Sequence, residues 1–179
     1  VPAKLSRLPT KDGLYLATES FPSLWDQARS AACSNGNTAP ECFNRDHPSF
    51  LGALGLLPGA SVDRQTMKRT LRAVETHWDL RQTWGWDYPL IAMTAARLNE
   101  PETALKFLMY DGKNNQYGVT GMTPRVHLDE HADSFVPTAD DATKPVGPHG
   151  PGYRRAAETY FPSNGGLLLA VGLMAAGWD

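Results

Sequence analysis

Residues 165–177 form the longest apolar stretch of the chain and carry no charged side chain. A helix built from them, together with Ser163 and Asn164, is apolar on every side, and such a helix needs protein all around it. At far fewer than the roughly 20 residues that a bilayer crossing requires, the stretch does not read as a membrane span. Its small residues, Gly165, Gly166, Ala170 and Gly172, let neighbouring elements approach closely. The rest of the chain is therefore expected to supply helices that pack against this one.

Those helices are legible from apolar spacing. Asp63 can cap a helix in which Met67, Leu71, Val74 and Trp78 recur at intervals of four, three and four, which lines up one inner face. A second helix is expected to open at Pro89 and run through Met93, Ala96 and Arg97 to Leu98, since proline fits a first turn. Asn99-Glu100-Pro101 then restarts the chain, and Ala104, Leu105, Leu108 and Met109 mark one face of a third helix. Residues 89–110 thus read as an antiparallel helical hairpin. Asp46-His47-Pro48 begins a further helical segment that stops at Pro58-Gly59, and Leu14-Tyr15-Leu16-Ala17 is the clearest strand signal. Residues 1–179 read as a single all-α domain, interrupted by a long irregular loop insertion over 111–161, rich in Gly, Pro, Asp and Thr. Loops of that length are usually functional, and a short hairpin is expected around Gln116 to Thr120.

With 17 Lys+Arg against 19 Asp+Glu, the net charge is -2, so no broad cationic field is available for nucleic acid. Val1-Pro2-Ala3 shows no basic flank followed by an apolar run, and neither a signal peptide nor a membrane partner is expected, a signal already removed being the alternative to the former. Cys33 and Cys42 bracket a Gly/Asn/Pro-rich stretch. A small disulfide-closed loop is the natural reading, with two free thiols the alternative; zinc needs about four ligands, and no second Cys pair exists. A disulfide points to an oxidising, secreted or otherwise extracytoplasmic location.

Four groups of residues can carry chemistry. His127-Leu128-Asp129-Glu130-His131 matches a zinc-hydrolase pattern that requires a helix, yet Pro124 and Pro137 bracket a polar segment without helical periodicity. Trp84-Gly85-Trp86-Asp87-Tyr88 precedes the Pro89 helix; aromatic faces stack on the C–H surfaces of sugars, and a carboxylate beside them can bind hydroxyls or activate water. The alternative places both tryptophans in the core, with Asp87 a helix cap. Glu19 follows an apolar run, where a carboxylic acid can be tuned into a general acid, or be a plain surface residue. Asp46 and His47 are candidates for a cleft, with helix capping by Asp46 the alternative.

Trp84-Gly85-Trp86-Asp87-Tyr88-Pro89, Ala92-Met93-Thr94-Ala95-Ala96-Arg97-Leu98, Tyr160-Phe161-Pro162-Ser163-Asn164-Gly165-Gly166-Leu167-Leu168 and Met174-Ala175-Ala176-Gly177-Trp178-Asp179 together resemble the C-terminal part of six-hairpin glycosidase-like proteins. The resemblance implies an (α/α)6 toroid of alternating inner and outer helices with a cleft at one end. About six helices are countable here rather than twelve, so the chain is expected to be the C-terminal half of such a barrel, completed by the remaining polypeptide or by self-association.

A more distant similarity, to inverting α-L-fucosidase-type enzymes and to disaccharide phosphorylases on the same scaffold, runs through Glu19, Gly85-Trp86-Asp87 and Pro162-Ser163-Asn164-Gly165-Gly166 in the same order. It implies glycoside hydrolysis of a carbohydrate substrate without a cofactor or resident metal. Glu19 would be the acid, Asp87 the base, Trp84, Trp86 and Tyr88 sugar platforms, and Asp46, His47 and Asn164 further substrate contacts. Pro162 stands where the relatives carry the catalytic base and Asp87 where they have serine, so the base moves to Asp87 or Asp46, or the site does different chemistry. The rival expectations are a noncatalytic carbohydrate-binding or structural barrel, a zinc hydrolase using His127, Glu130 and His131, and a helical polysaccharide lyase using Tyr and His.

Overall fold

The computed structural model describes residues 7–34, 41–118, 121–123, 125–128, 153–157 and 159–178. The fold is all-α in class, with six α-helices among the described residues: α1 (Leu24–Arg29), α2 (Gly52–Gly55), α3 (Arg64–His77), α4 (Asp87–Arg97), α5 (Pro101–Leu108) and α6 (Phe161–Ala176). Two small antiparallel sheets accompany them, β1 (Thr10–Lys11) with β2 (Leu14–Tyr15) and β3 (Arg125–Leu128) with β4 (Tyr153–Ala157).

The α3 stripe behaves as its spacing requires. Met67, Leu71 and Val74 are fully buried and Trp78 nearly so, and each such side chain contributes about 1.5–3 kcal/mol when withdrawn from water. The Asp63 carboxylate caps the helix by accepting from the Thr66 N–H at 2.7 Å. The β1–β2 hairpin is tied down through Tyr15, whose N–H donates to the Thr70 hydroxyl at 2.9 Å and whose own hydroxyl accepts from the Asp63 N–H at 2.8 Å.

α4 and α5 form the expected helical hairpin, turned by Asn99 at φ 61° with Pro101 in the first turn of α5. α4 begins two residues before Pro89, at Asp87, and every residue from 87 to 95 is buried. It is the helix that α2, α5 and α6 surround. This corrects the expectation drawn from apolarity alone. α6 packs on α4 through Ala170 and Gly166, where an added Cβ would come within 2.8 Å of the Pro89 ring, but Phe161, Leu168, Leu169 and Val171 on its other face are exposed. Among the described residues nothing covers that face.

The segment after Asp46 is helical as expected, a single 3₁₀ turn over Ser49–Leu51 running into α2. Arg97 clamps its far end by donating to the carbonyls of Leu54, Leu57 and Pro58 at 2.5, 2.6 and 3.0 Å, and it lies over Trp178, whose indole N–H donates to the Gly55 carbonyl. Cys33 and Cys42 form a disulfide with Cα atoms 5.6 Å apart. No helix is long and apolar enough to cross a membrane among the described residues.

The 111–161 stretch is less irregular than its composition suggests, because it contains both strands of the second sheet. Near Gln116, where a hairpin is expected, Gly118 donates to the Met122 carbonyl and Gly121 to that of Gly118, both at 2.9 Å. Residues 119 and 120 lie outside the described residues.

Candidate functional site

His47 and Asp87, forty positions apart in the chain, meet where the loop before the Ser49 turn crosses the start of α4. The His47 ring Nδ1 lies 3.0 Å from Asp87 Oδ1. The other carboxylate oxygen accepts from the Trp84 N–H at 2.9 Å and from the Thr83 hydroxyl. A carboxylate that folds back onto the turn preceding its own helix satisfies N–H groups that the helix cannot, and sits at the favourable end of the helix dipole. The other side of the pair is fixed by Trp78, whose indole N–H donates to the Asp46 carbonyl at 2.7 Å, and by Pro48, which holds His47 out of helical geometry.

Three aromatic rings and one guanidinium gather around the pair. The His47 ring lies 5.3 Å from Trp84 and 4.8 Å from Trp86, tilted 48° and 57° to them. Tyr160, just before α6, lies 5.5 Å from Trp84, and the buried Arg125 guanidinium stacks 4.1 Å over the same indole. Trp84 and Trp86 are both partly exposed. Between them Gly85 packs so tightly that an added Cβ would fall 1.9 Å from the Ser163 hydroxyl oxygen and 2.3 Å from the Asn114 carbonyl oxygen. Glycine here lets the start of α6 close against the tryptophan turn.

The side chain of Asp87 is 0% exposed and that of His47 is 29% exposed. Burial pushes the Asp87 carboxyl above the ordinary aspartate value, against the pull of its three donors, of which His47 is the strongest. Burial also pulls His47 down, but the hydrogen bond and charge of Asp87 outweigh it, and the net direction is up. Both shifts favour keeping a proton within the pair. A carboxylate can only accept, so with Asp87 ionised Nδ1 carries a hydrogen and Nε2 is left as the working atom. Nε2 lies 3.7 Å from Oδ1 of the exposed Asp46. The pair can thus donate a proton while His47 is charged and accept one when it is neutral.

Several sequence expectations change in this light. Asp87 is sealed from solvent and engaged by three donors, so it orients His47; of the pair, His47 is the group that reaches the surface. Tyr88 is no sugar platform: its side chain is fully buried, its ring stacks 5.1 Å from Tyr110, and its hydroxyl donates to the Leu80 carbonyl at 2.7 Å. Burial holds that phenol far above the ordinary tyrosine value. Asn164 donates to the Gly121 carbonyl at 2.7 Å, which ties α6 to the 121 turn and not to the His47 pair. Glu19 lies exposed in the turn after β2, and none of the contacts around His47 includes it.

His127 and Leu128 lie in β3, in register with Arg154 and Tyr153, so the zinc pattern does not start on a helix as that chemistry needs. Glu130 and His131 are outside the described residues. Among the described residues, no three His, Cys, Asp or Glu side chains gather in a way that could hold a metal ion.

Thr83, Arg125 and Tyr160 were not singled out from the sequence. Tyr160 begins one of the family-like segments, which was the available signal. Arg125 sits in a polar stretch with none. No protein family, curated protein or solved structure matches the chain.

Proposed function

We propose that the Trp84–His47–Trp86 cluster is a saccharide-binding cleft and that the protein hydrolyses a glycosidic bond. The carrying observation is a partly exposed imidazole, oriented by a buried carboxylate, whose ring lies against two partly exposed indoles. Indole faces suit the C–H surfaces of a sugar ring, and an oriented imidazole can activate water at Nε2. In this scheme His47 takes the base role with Asp87 behind it, while Glu19 remains the candidate acid on the leaving oxygen, inverting the anomeric centre. The cleft would belong to the C-terminal half of an (α/α)6 barrel, and the uncovered apolar face of α6 supports completion by further polypeptide or by a second copy. The disulfide supports an extracytoplasmic setting.

A second reading is favoured by the sealed carboxylate of Asp87: a carbohydrate-binding barrel without turnover. One experiment separates the two. The full-length protein is titrated with a panel of oligosaccharides while tryptophan fluorescence and release of reducing ends are followed, with Trp84→Ala and His47→Gln as variants. Hydrolysis lost in His47→Gln with binding retained supports the enzyme; binding lost only in Trp84→Ala, without turnover in any form, supports the binding protein. An absence of saccharide binding refutes both.

A further inference from the structure

A concavity of about 530 Å³ opens beside the disulfide between α1, the end of α3 and the turn after it, and none of its lining residues belongs to the His47 cluster. That volume falls within the range of small-molecule sites. Its chemistry differs from that of the tryptophan cleft. Arg29, Asn44, His77, Asp79, Arg81 and Tyr110 contribute to its walls, with Trp78 and Leu80 as apolar floor.

The charges do not cancel. Arg29, in the last turn of α1, is exposed and has no hydrogen bond or ion pair with another described residue. Arg81 is held only loosely, with Nε 3.8 Å from Asp79 Oδ1 and a side chain 53% exposed. Asp79 is pinned and 2% exposed: its two oxygens accept from the Arg81 N–H at 3.2 Å and the Gln82 amide at 2.9 Å. Asp79 is the one carboxylate among the lining residues, against the guanidiniums of Arg29 and Arg81, and Asp26, which feels the charge of Arg29 from the same helix, is already paired with Lys11. His77 adds no further charge at neutral pH, since burial and then the neighbouring Arg29 hold it below the ordinary histidine value. Burial keeps the Tyr110 phenol protonated, so it can only act as a hydroxyl. The groove is rigid at its base, where Asn44 donates to the carbonyls of Cys33 and His77 at 2.8 and 2.6 Å.

We infer that this groove binds the oxyanion of a small polyhydroxylated acid, a carboxylate or a phosphate ester, between Arg29 and Arg81. Guanidinium forks match the two oxygens of such groups, while Tyr110, His77 and Thr76 present polar atoms to hydroxyls. The inference does not depend on the tryptophan cleft.

The test uses glucuronate and glucose 6-phosphate as probes and glucose as the neutral control, with binding to the intact disulfide-bonded protein followed by ligand-observed NMR and calorimetry. With the tryptophan cleft disabled by Trp84→Ala, both anions are expected to bind and glucose is not. Arg29→Gln and Arg81→Gln, changes at exposed side chains, should each weaken binding about three- to tenfold, and added salt should weaken it further, as exposed ion pairs are screened. Trp84→Ala should leave it unchanged. Absence of anion binding, equal binding of glucose with that cleft disabled, insensitivity to both arginine substitutions, or loss in Trp84→Ala overturns the assignment.

Discussion

Replacing Asp87 by Asn tests the dyad most directly, because it removes the charge and keeps the shape. The carboxylate now accepts from three groups: the Thr83 hydroxyl, the Trp84 N–H and His47 Nδ1. An asparagine has one accepting oxygen. If that oxygen stays with Thr83 and Trp84, its NH2 faces His47 Nδ1, which must become an acceptor and pass its hydrogen to Nε2. The working atom of the imidazole is then blocked. One hydrogen bond to a charged group is worth about 1.5–3 kcal/mol, while relief of the buried charge returns part of this, so a net loss of about 1–2 kcal/mol is expected. For a domain of this size that lowers the melting temperature by roughly 2–8 °C. Loss of a positioned base should reduce turnover by about 10²–10⁴-fold.

Proton linkage gives the same pair an independent signature. A His47 value raised by folding contributes stability that is fully present below about pH 6.5. That contribution is lost as pH rises through the folded value. The raised Asp87 carboxyl has the same sign, because its charged form is the one burial penalises. Wild type should therefore lose stability relative to Asp87→Asn between slightly acid and slightly alkaline pH. Chemical denaturation across that range, with ¹⁵N imidazole spectra to read the tautomer, checks both points. An unchanged His47 tautomer and parallel pH–stability curves for the two proteins would refute the reasoning.

Replacing both Cys33 and Cys42 by Ser opens a short loop whose ends are 9 positions apart, and should cost about 2.5 kcal/mol on the chain-entropy view, read from the denaturation midpoint; intact protein should weigh about 2 Da less than its reduced form. Gly85→Ala forces a Cβ into the Ser163 hydroxyl and the Asn114 carbonyl and should destabilise by at least about 1–3 kcal/mol, with His47 and the tryptophans displaced as judged by fluorescence. Leu168→Glu places a charge on the open face of α6, where Leu168 is 73% exposed. It should leave the melting temperature nearly unchanged but abolish association in sedimentation; a wild-type protein that is monomeric at all concentrations would contradict the covered-face argument.

Helices α3, α4 and α5 were legible because their signals are local. A cap at Asp63, an apolar repeat through Met67, Leu71 and Val74, and prolines at 89 and 101 act over a turn or two of chain. The tryptophan turn and the paired cysteines were likewise visible as motifs. Apolarity, however, says that a helix prefers cover without saying which neighbours supply it, so α6 was expected in the interior that α4 occupies. The site was decided at longer range. Asp87, Asp46 and His47 are all plain in the sequence, but which of them reaches solvent depends on α4 lying beneath the loop before it. The same packing turns Tyr88 inward and leaves Trp84 and Trp86 partly open, although the three are neighbours in the chain. Arg125 and Tyr160 join the cluster because β3 and the start of α6 return to the tryptophan turn, a closure set by contacts such as Gly85 against Ser163 that no local pattern encodes.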